Sequence, residues 1–390
     1  VTRIDIPEGS LFGVANLPYG VFSTPGTAPR VGVRAGDSVV DLAVALGDDV
    51  FARPSLNAFM AQGHDRWVAV RQRITELVTG DVPDAAVFPV SEVELHLPVE
   101  VADYVDFYCS EHHASNLGRL FRPDAEPLMP NWKHLPVGYH GRAGTVVVSG
   151  TDIVRPCGQR KAPDEAAPSF GESRRLDIEA ELGFIVGVPS TLGSPVSTQD
   201  FPKHVFGAVL VNDWSARDIQ AWEYVPLGPN LGKSFATSIS PWVVPLLALD
   251  AARVPTPAQD PEPLPYLRES ADWGLDIDLS VVWNGQEVTR PPYREMYWSP
   301  AQMLAHLTVN GASSRTGDLF ASGTISGPER DQRGAFIELT WGGKEPVTVN
   351  GEDRSFLLDG DEVTISATAP GTAGRIGFGE VRGRILPARQ

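Results

Sequence analysis

In residues 176–185, LDIEAELGFI, apolar side chains alternate with Asp177, Glu179 and Glu181. A period of two is the pattern of a half-buried strand, with Ile178, Ala180 and Leu182 on one face and Glu179 beside Glu181 on the other. Upstream, LFGVANLPYGVFS (11–23) and RVGVRAGDSVVDLAVAL (30–46) read as short strands turned at glycine and proline. The stretch 55–80 changes period: Trp67, Val70, Ile74 and Leu77 recur at helical spacing, and Ser55 is the expected N-cap. The proline-punctuated segment after it, DVPDAAVFPVSEVELHLPVE (81–100), reads as a linker, which places a domain boundary near residue 97.

Beyond that boundary the strand pattern dominates. GTVVVSG (144–150), EAELGFIVG (179–187), VFGAVLVND (205–213), DIDLSVVWNGQEVT (276–289), GAFIELTW (334–341) and DEVTISAT (361–368) are the expected strands, and Asn284-Gly285 marks a hairpin. One clear helix follows Ser299, Pro300 and Gln302, which form a capping box with proline at the first helical position. Residues 155–175 read as a polar surface loop. Strands without regular helical crossovers argue against a doubly wound parallel sheet and favour a mainly β roll or sandwich.

Composition narrows the class. The chain has 390 residues, enough for two domains, and a net charge of -17 that argues against nucleic acid or an acidic membrane surface as partner. Two cysteines, Cys109 and Cys157, are too few for a disulfide framework and lack zinc-ligand spacing. With no apolar leader and no long apolar run, the expectation is a soluble protein of a reducing, cytoplasmic compartment. Two glycine-rich segments carry no nucleotide site. GPNLGKS (228–234) is one residue short of a phosphate loop, and GRIGFGEVRG (374–383) has the wrong spacing for a dinucleotide fingerprint.

Three segments concentrate reactive side chains: DYVDFYCSEHHASN (103–116), the pair Glu179 and Glu181, and VLVNDWSARDIQAWEY (209–224). In the last, Arg217, Gln220 and Tyr224 fall on one face of an expected short helix. Asp106, Glu179, Glu181 and Asp213 gathered around one ion would select a hard cation, Mg²⁺ or Ca²⁺, because all donors are oxygens. Taken one at a time, each acid is better explained as a solvated surface group; for Glu179 with Glu181 on one strand face the two readings balance. Either histidine of the pair His112 and His113 suits a general base, and Lys233 suits a buried functional lysine or a surface one.

These segments, together with PNWKHLPVGYHGRAGTVVVSG (130–150), NDWSARDIQAWEYVPLGPNLGKSFATSISPWVVP (212–245), ASGTISG (321–327) and SFLLDGDEV (355–363), closely resemble the fumarylacetoacetate hydrolase family. NLPYGVFST and LNAFMAQG extend the resemblance into the N-terminal part. It implies an SH3-like barrel over residues 1–97, a catalytic β-roll over 98–390, and a homodimer. The implied activity is hydrolysis of a carbon–carbon bond in a dicarboxylate diketone, 4-fumarylacetoacetate, the last step of tyrosine and phenylalanine breakdown. Carried over by residue, the cation ligands are Asp106, Glu179, Glu181 and Asp213, with a second cation beside Asp213 and the Lys233–Thr237 stretch. The base is His113, at its seven-residue interval from Asp106, oriented by Glu338. Substrate contacts fall on Tyr108, Arg122, Tyr139, Gln220, Tyr224 and Thr324, with Arg217 and Lys233 near the reacting diketone. Two rival readings are a related hydratase, decarboxylase or acylpyruvate hydrolase, and a non-catalytic metal-stabilised β protein.

Overall fold

A computed structural model describes residues 1–389. Its N-terminal unit is a half-barrel of five strands in the order Val87–Pro89, Ser38–Asp41, Arg30–Ala35, Tyr19–Ser23, Glu94–His96. The segment expected to be a linker therefore supplies both edge strands. Pro89 pairs with Ser38 at the rim, where its missing N–H leaves no gap in the ladder. Of the expected strand segment 30–46, Arg30–Ala35 and Ser38–Asp41 form two short strands, and the chain then leaves the sheet. The Asp41 side chain accepts from Val44 N at 3.2 Å and turns Leu42–Leu46 into a helix.

The expected 55–80 helix is two helices, Asn57–Met60 and His64–Thr79, divided at Gly63 with φ +93°. Ser55 receives Asn57 N at 3.2 Å rather than capping the long helix. Trp67, Val70 and Ile74 are buried as the spacing requires, with Val78 in place of Leu77.

The larger part is built on an eight-stranded mixed sheet. Its main path runs Gly138–His140, Tyr104–Phe107, Leu319–Ala321, Ala180–Val186, Val205–Asp213, Thr237–Ile239, Val146–Val148, and Val244–Pro245 adds to Val205–Asp213. A second sheet of five strands carries Gln286–Thr289, Asp278–Trp283, Glu362–Gly371, Gly374–Leu386 and Ile153–Val154. The Gly374–Leu386 strand is the glycine-rich segment that had suggested a nucleotide fingerprint.

The central strand Ala180–Val186 is buried at every residue, not on one face alone. Leu182 and Phe184 pack into the core shared with the second sheet, and Ile185 into the core shared with the half-barrel. A strand covered on both faces loses its solvated side. The chain breaks before it: Leu176–Asp177 pairs with Ser215–Ala216, and Glu179 forms a lone bridge to Ala335.

Two further expectations change. Residues 155–175 contain a hairpin, Cys157–Arg160 with Ser169–Glu172, rather than an irregular loop. GAFIELTW is a short helix, Phe336–Leu339, not a strand. Among the described residues, no helix is long and apolar enough to cross a membrane.

Candidate active site

The site lies at one end of the mixed sheet, where strand register brings distant acids together. Asp106 sits opposite Ala321 on one side and Tyr139 on the other. Glu181 faces Val211, and Asp213 ends its strand opposite Thr237. Glu179 lies two residues before Glu181, on the same side of the chain. Donor oxygens of Asp106, Glu179, Glu181 and Asp213 all fall within 4.8 Å of one another, and all four residues are buried.

Their surroundings divide them. Asp213 accepts from Thr237 Oγ1 at 2.8 Å, Tyr139 OH at 2.9 Å and Lys233 Nζ at 2.9 Å. Glu179 accepts from Arg217 Nη1 at 2.8 Å and from Lys233 Nζ. Asp106 Oδ1 and both Glu181 oxygens are buried with no hydrogen-bond partner. Burial pushes the carboxyls of Asp106 and Glu181 well above the ordinary range, reinforced by Asp213 for the first and Asp106 for the second. Burial works the same way on Glu179, but Lys233 and Arg217 overcome it and hold that carboxyl below its usual range. Burial opposes the Lys233 charge; Asp213 and Glu179 more than offset it and keep the ammonium protonated.

Acidic oxygens left without protein partners in a buried site call for a cation or a proton. An all-oxygen set of this kind fits a hard divalent ion. Lys233 faces the cluster as an ammonium donor, so its side chain offers no lone pair to a metal, whereas Thr237 Oγ1 donates its proton to Asp213 and keeps its lone pairs.

Beside the acids stands a second device. Ser110 caps the helix Glu111–Phe121 by accepting from His113 N at 3.1 Å, which turns His113 inward. His113 Nδ1 lies 2.6 Å from Glu338 Oε2, and both residues are buried. Asn116, one turn along, donates to Glu338 Oε1 at 3.0 Å, and Ser326 Oγ donates to Oε2 at 3.0 Å. Burial raises the Glu338 carboxyl, but His113 and these donors outweigh it and keep it below the ordinary value. His112 points outward, 3.6 Å from Glu295 at the surface.

Both devices open on one cavity of about 590 Å³. Of the residues singled out from the sequence, Asp106, Tyr108, His113, Arg122, Tyr139, Glu179, Gln220, Tyr224, Lys233 and Thr324 line it. Glu181, Asp213, Arg217, Thr237 and Glu338 stand behind that lining. Arg217 is held there by Asp177 Oδ2 at 2.8 Å and by Glu179, with Gln220 Oε1 at 3.1 Å. Thr324 Oγ1 and Arg122 Nε are buried without partners. Leu117, Phe121, Met129, Val137 and Leu227 complete the wall with apolar surface.

Sequence reasoning missed Asn116, Ser326 and Asp177. Asn116 stands three residues after His113, a helical interval that reading 111–121 as a helix would have exposed. Asp177 belongs to the alternating stretch itself but was passed over for the two glutamates.

Comparison with known proteins gives matches along the whole chain. The family model "Fumarylacetoacetate (FAA) hydrolase C-terminal" matches residues 103–386, and "Fumarylacetoacetase N-terminal" matches residues 15–98. The fumarylacetoacetase of Homo sapiens is 47% identical over 412 aligned residues, covering 99% of this chain and 98% of the relative. That of Caenorhabditis elegans is 47% identical, covering 99% of each. Among solved structures, the fumarylacetoacetate hydrolase of Exiguobacterium antarcticum superposes with a TM-score of 0.59 at 19% identity, covering 96% of this chain and 100% of that one. At that identity the likeness speaks for the fold alone.

Proposed function

The chain belongs to the fumarylacetoacetate hydrolase family, and from that premise we propose that it hydrolyses 4-fumarylacetoacetate to fumarate and acetoacetate. The observation that carries this reading is one cavity holding both a buried, under-satisfied acidic cluster and a buried His–Glu pair. Asp106, Glu179, Glu181 and Asp213 would hold a divalent cation, Mg²⁺ or Ca²⁺. Such an ion supplies Lewis acidity to the 1,3-diketone and counter-charge for the enolate that leaves.

The remaining steps belong to the chain's own side chains. His113 Nδ1 is engaged by Glu338, so Nε2 is the nitrogen left to take a proton from water. The water oxygen attacks the carbonyl next to the alkene and forms the new carboxylate of fumarate. The carbon–carbon bond breaks, its electron pair becomes the acetoacetate enolate, and that carbon takes up a proton. Glu338, kept ionised, stabilises the imidazolium formed when His113 is charged. Lys233 places a fixed positive charge at the cavity wall, and Gln220, whose Oε1 is taken by Arg217, has its amide N–H groups left for substrate.

Substrate binding in this reading uses Tyr108, Arg122, Tyr139, Gln220, Tyr224 and Thr324. Arg122 meets a terminal carboxylate, and the apolar wall accepts the unsaturated arm. A second cation beside Asp213, held by backbone oxygens of the Lys233–Thr237 stretch, belongs to the same reading. A smaller cavity of about 180 Å³ lined by Tyr139, Asp213, Lys233 and Thr237 supports it. Residues 98–390 then form the catalytic domain and 1–97 a supporting one, in a cytoplasmic homodimer.

The test is spectrophotometric: loss of fumarylacetoacetate absorbance with the native chain, its abolition by chelator, and its return on adding Mg²⁺ or Ca²⁺ separately. A rate untouched by exhaustive chelation would remove the cation from the mechanism. No turnover with either ion restored would remove the reaction.

A further inference from the structure

Asp177 is fully buried and accepts four hydrogen bonds. Oδ1 receives Ile178 N and Phe336 N, each at 2.7 Å; Oδ2 receives Arg217 Nε at 2.8 Å and Ile337 N at 2.9 Å. Three of these contacts lead to the working parts of the site, by two separate routes. Arg217 passes from Asp177 to Glu179 Oε1 through Nη1 at 2.8 Å. Phe336 and Ile337 open the four-residue helix whose third residue is Glu338, the partner of His113.

A helical turn of four residues cannot hold its own shape, because fixing the first turn costs more than one hydrogen bond returns. Its opening amides need an external acceptor, and Asp177 is that acceptor. Arg217 likewise could swing about its long stem; the Nε contact orients the guanidinium so that Nη1 reaches Glu179, with Gln220 beside it. One carboxylate therefore sets the direction of Glu338 and of the Glu179 counter-ion in a single rigid frame.

We propose that Asp177 is a positioning residue that fixes the water-activating pair and the cluster acid Glu179 relative to each other. This rests on the function proposed above. A purely stabilising salt bridge would hold the fold together without setting the rate of the folded enzyme. A positioning residue sets that rate, since a displacement of about 1 Å at reacting groups costs about 10²-fold.

The test uses the full chain with Asp177→Asn, which keeps the shape but turns one acceptor into a donor facing other donors. Three readings are taken on Mg²⁺-saturated protein: kcat, KM, and the low-field proton line of the His113–Glu338 hydrogen bond, identified by its loss in His113→Asn. The expected result is kcat lower by roughly 10- to 100-fold per folded site, KM within about threefold, and a shifted or exchange-broadened line. In a Glu338→Gln background the same substitution should cost clearly less, only the part that runs through Arg217 and Glu179, because the route through Glu338 is already interrupted. If Asp177→Asn does not fold, Asp177→Glu keeps the charge beside Arg217 while displacing both amide contacts, and the same readings decide. Wild-type kcat per folded site with an unmoved line overturns the proposal, as does an equal loss in both backgrounds. Should the wild type prove not to hydrolyse fumarylacetoacetate, the function falls, and the proton line alone decides for Asp177.

Discussion

Replacing His113 by Asn should lower kcat by about 10²–10⁴-fold, the range of general base catalysis, with little change in KM. Glu338→Gln should act on the same parameter by a smaller amount that the geometry bounds. The carboxylate is fully buried and accepts from His113 Nδ1 at 2.6 Å, so its loss removes one charge-assisted hydrogen bond to the imidazolium. Such a bond contributes about 1.5–3 kcal/mol, which is roughly 10- to 150-fold in rate. The double variant should fall well short of the product of the two, because the pair acts as a unit. His112 supplies the control: its side chain is 36% exposed and 3.6 Å from Glu295. A surface pair of that kind contributes about 0–1 kcal/mol to stability and nothing to the cavity, so His112→Asn should keep kcat within about twofold. The assay is initial-rate loss of fumarylacetoacetate absorbance at matched, saturating cation. A large loss in His112→Asn with normal turnover in His113→Asn would refute the assignment of the base.

Glu181→Gln should weaken cation affinity by at least about tenfold in calorimetry while leaving the melting temperature in chelator unchanged or higher, since both Glu181 oxygens lack protein partners; for the wild type, chelator alone should lower the melting temperature, and no shift would deny the ion a role in stability. Arg122→Met should raise KM far more than it lowers kcat, because Arg122 lines the cavity while its guanidinium donates to Pro127 O and not to the His113–Glu338 pair, and a normal KM would place it outside the binding surface. Glu269, which accepts from Ser299 Oγ, is pushed by burial from 4.5 up to about 7. A carboxyl raised in the folded state favours folding fully only below its unfolded value, and that contribution is lost as pH climbs through the folded one. Glu269→Gln should therefore stabilise the protein by roughly 1–3 kcal/mol above pH 7 and by nothing near pH 4.5, measured by urea unfolding at the two pH values; an equal effect at both would disprove the titration.

What the sequence made legible was local, and what it hid was decided at long range. Alternation placed Glu179 and Glu181 together, and the capping box at Ser299 and Gln302 formed as read. Alternation could not say that the strand would be covered on both faces, because the half-barrel that covers it comes from the N-terminal residues. GAFIELTW reads as a strand by the same rule, yet its opening amides are claimed by Asp177 from 159 and 160 residues away. The proline-rich 81–100 segment looked like a linker because Pro disfavours a central strand; at a sheet edge that objection vanishes. Choosing His113 over His112 needed the family resemblance, since the pattern treated the two alike. In the structure Ser110 caps the helix so that His113, not its neighbour, turns toward Glu338.

The buried acids of this site are satisfied to very different degrees. Asp177 has backbone amides and Arg217, Glu338 has His113, Asn116 and Ser326, and Asp213 has Thr237, Tyr139 and Lys233. Each of these is complete within the chain, so its removal leaves donors stranded, at a cost of about 1–3 kcal/mol per buried group. Asp106 and Glu181 are the opposite case: they hold unpartnered oxygens against like charges, which the folded chain tolerates only with a proton or an ion between them. Substitutions in the first group should therefore destabilise the protein whether or not a cation is present, and those in the second only when one is. Asp106 lines the His113 cavity and Glu181 has a donor oxygen within 4.8 Å of one of Asp106, so a cation held by the two would stand beside that cavity. A protein assembling acids for stability alone would have completed these two as it completed the others.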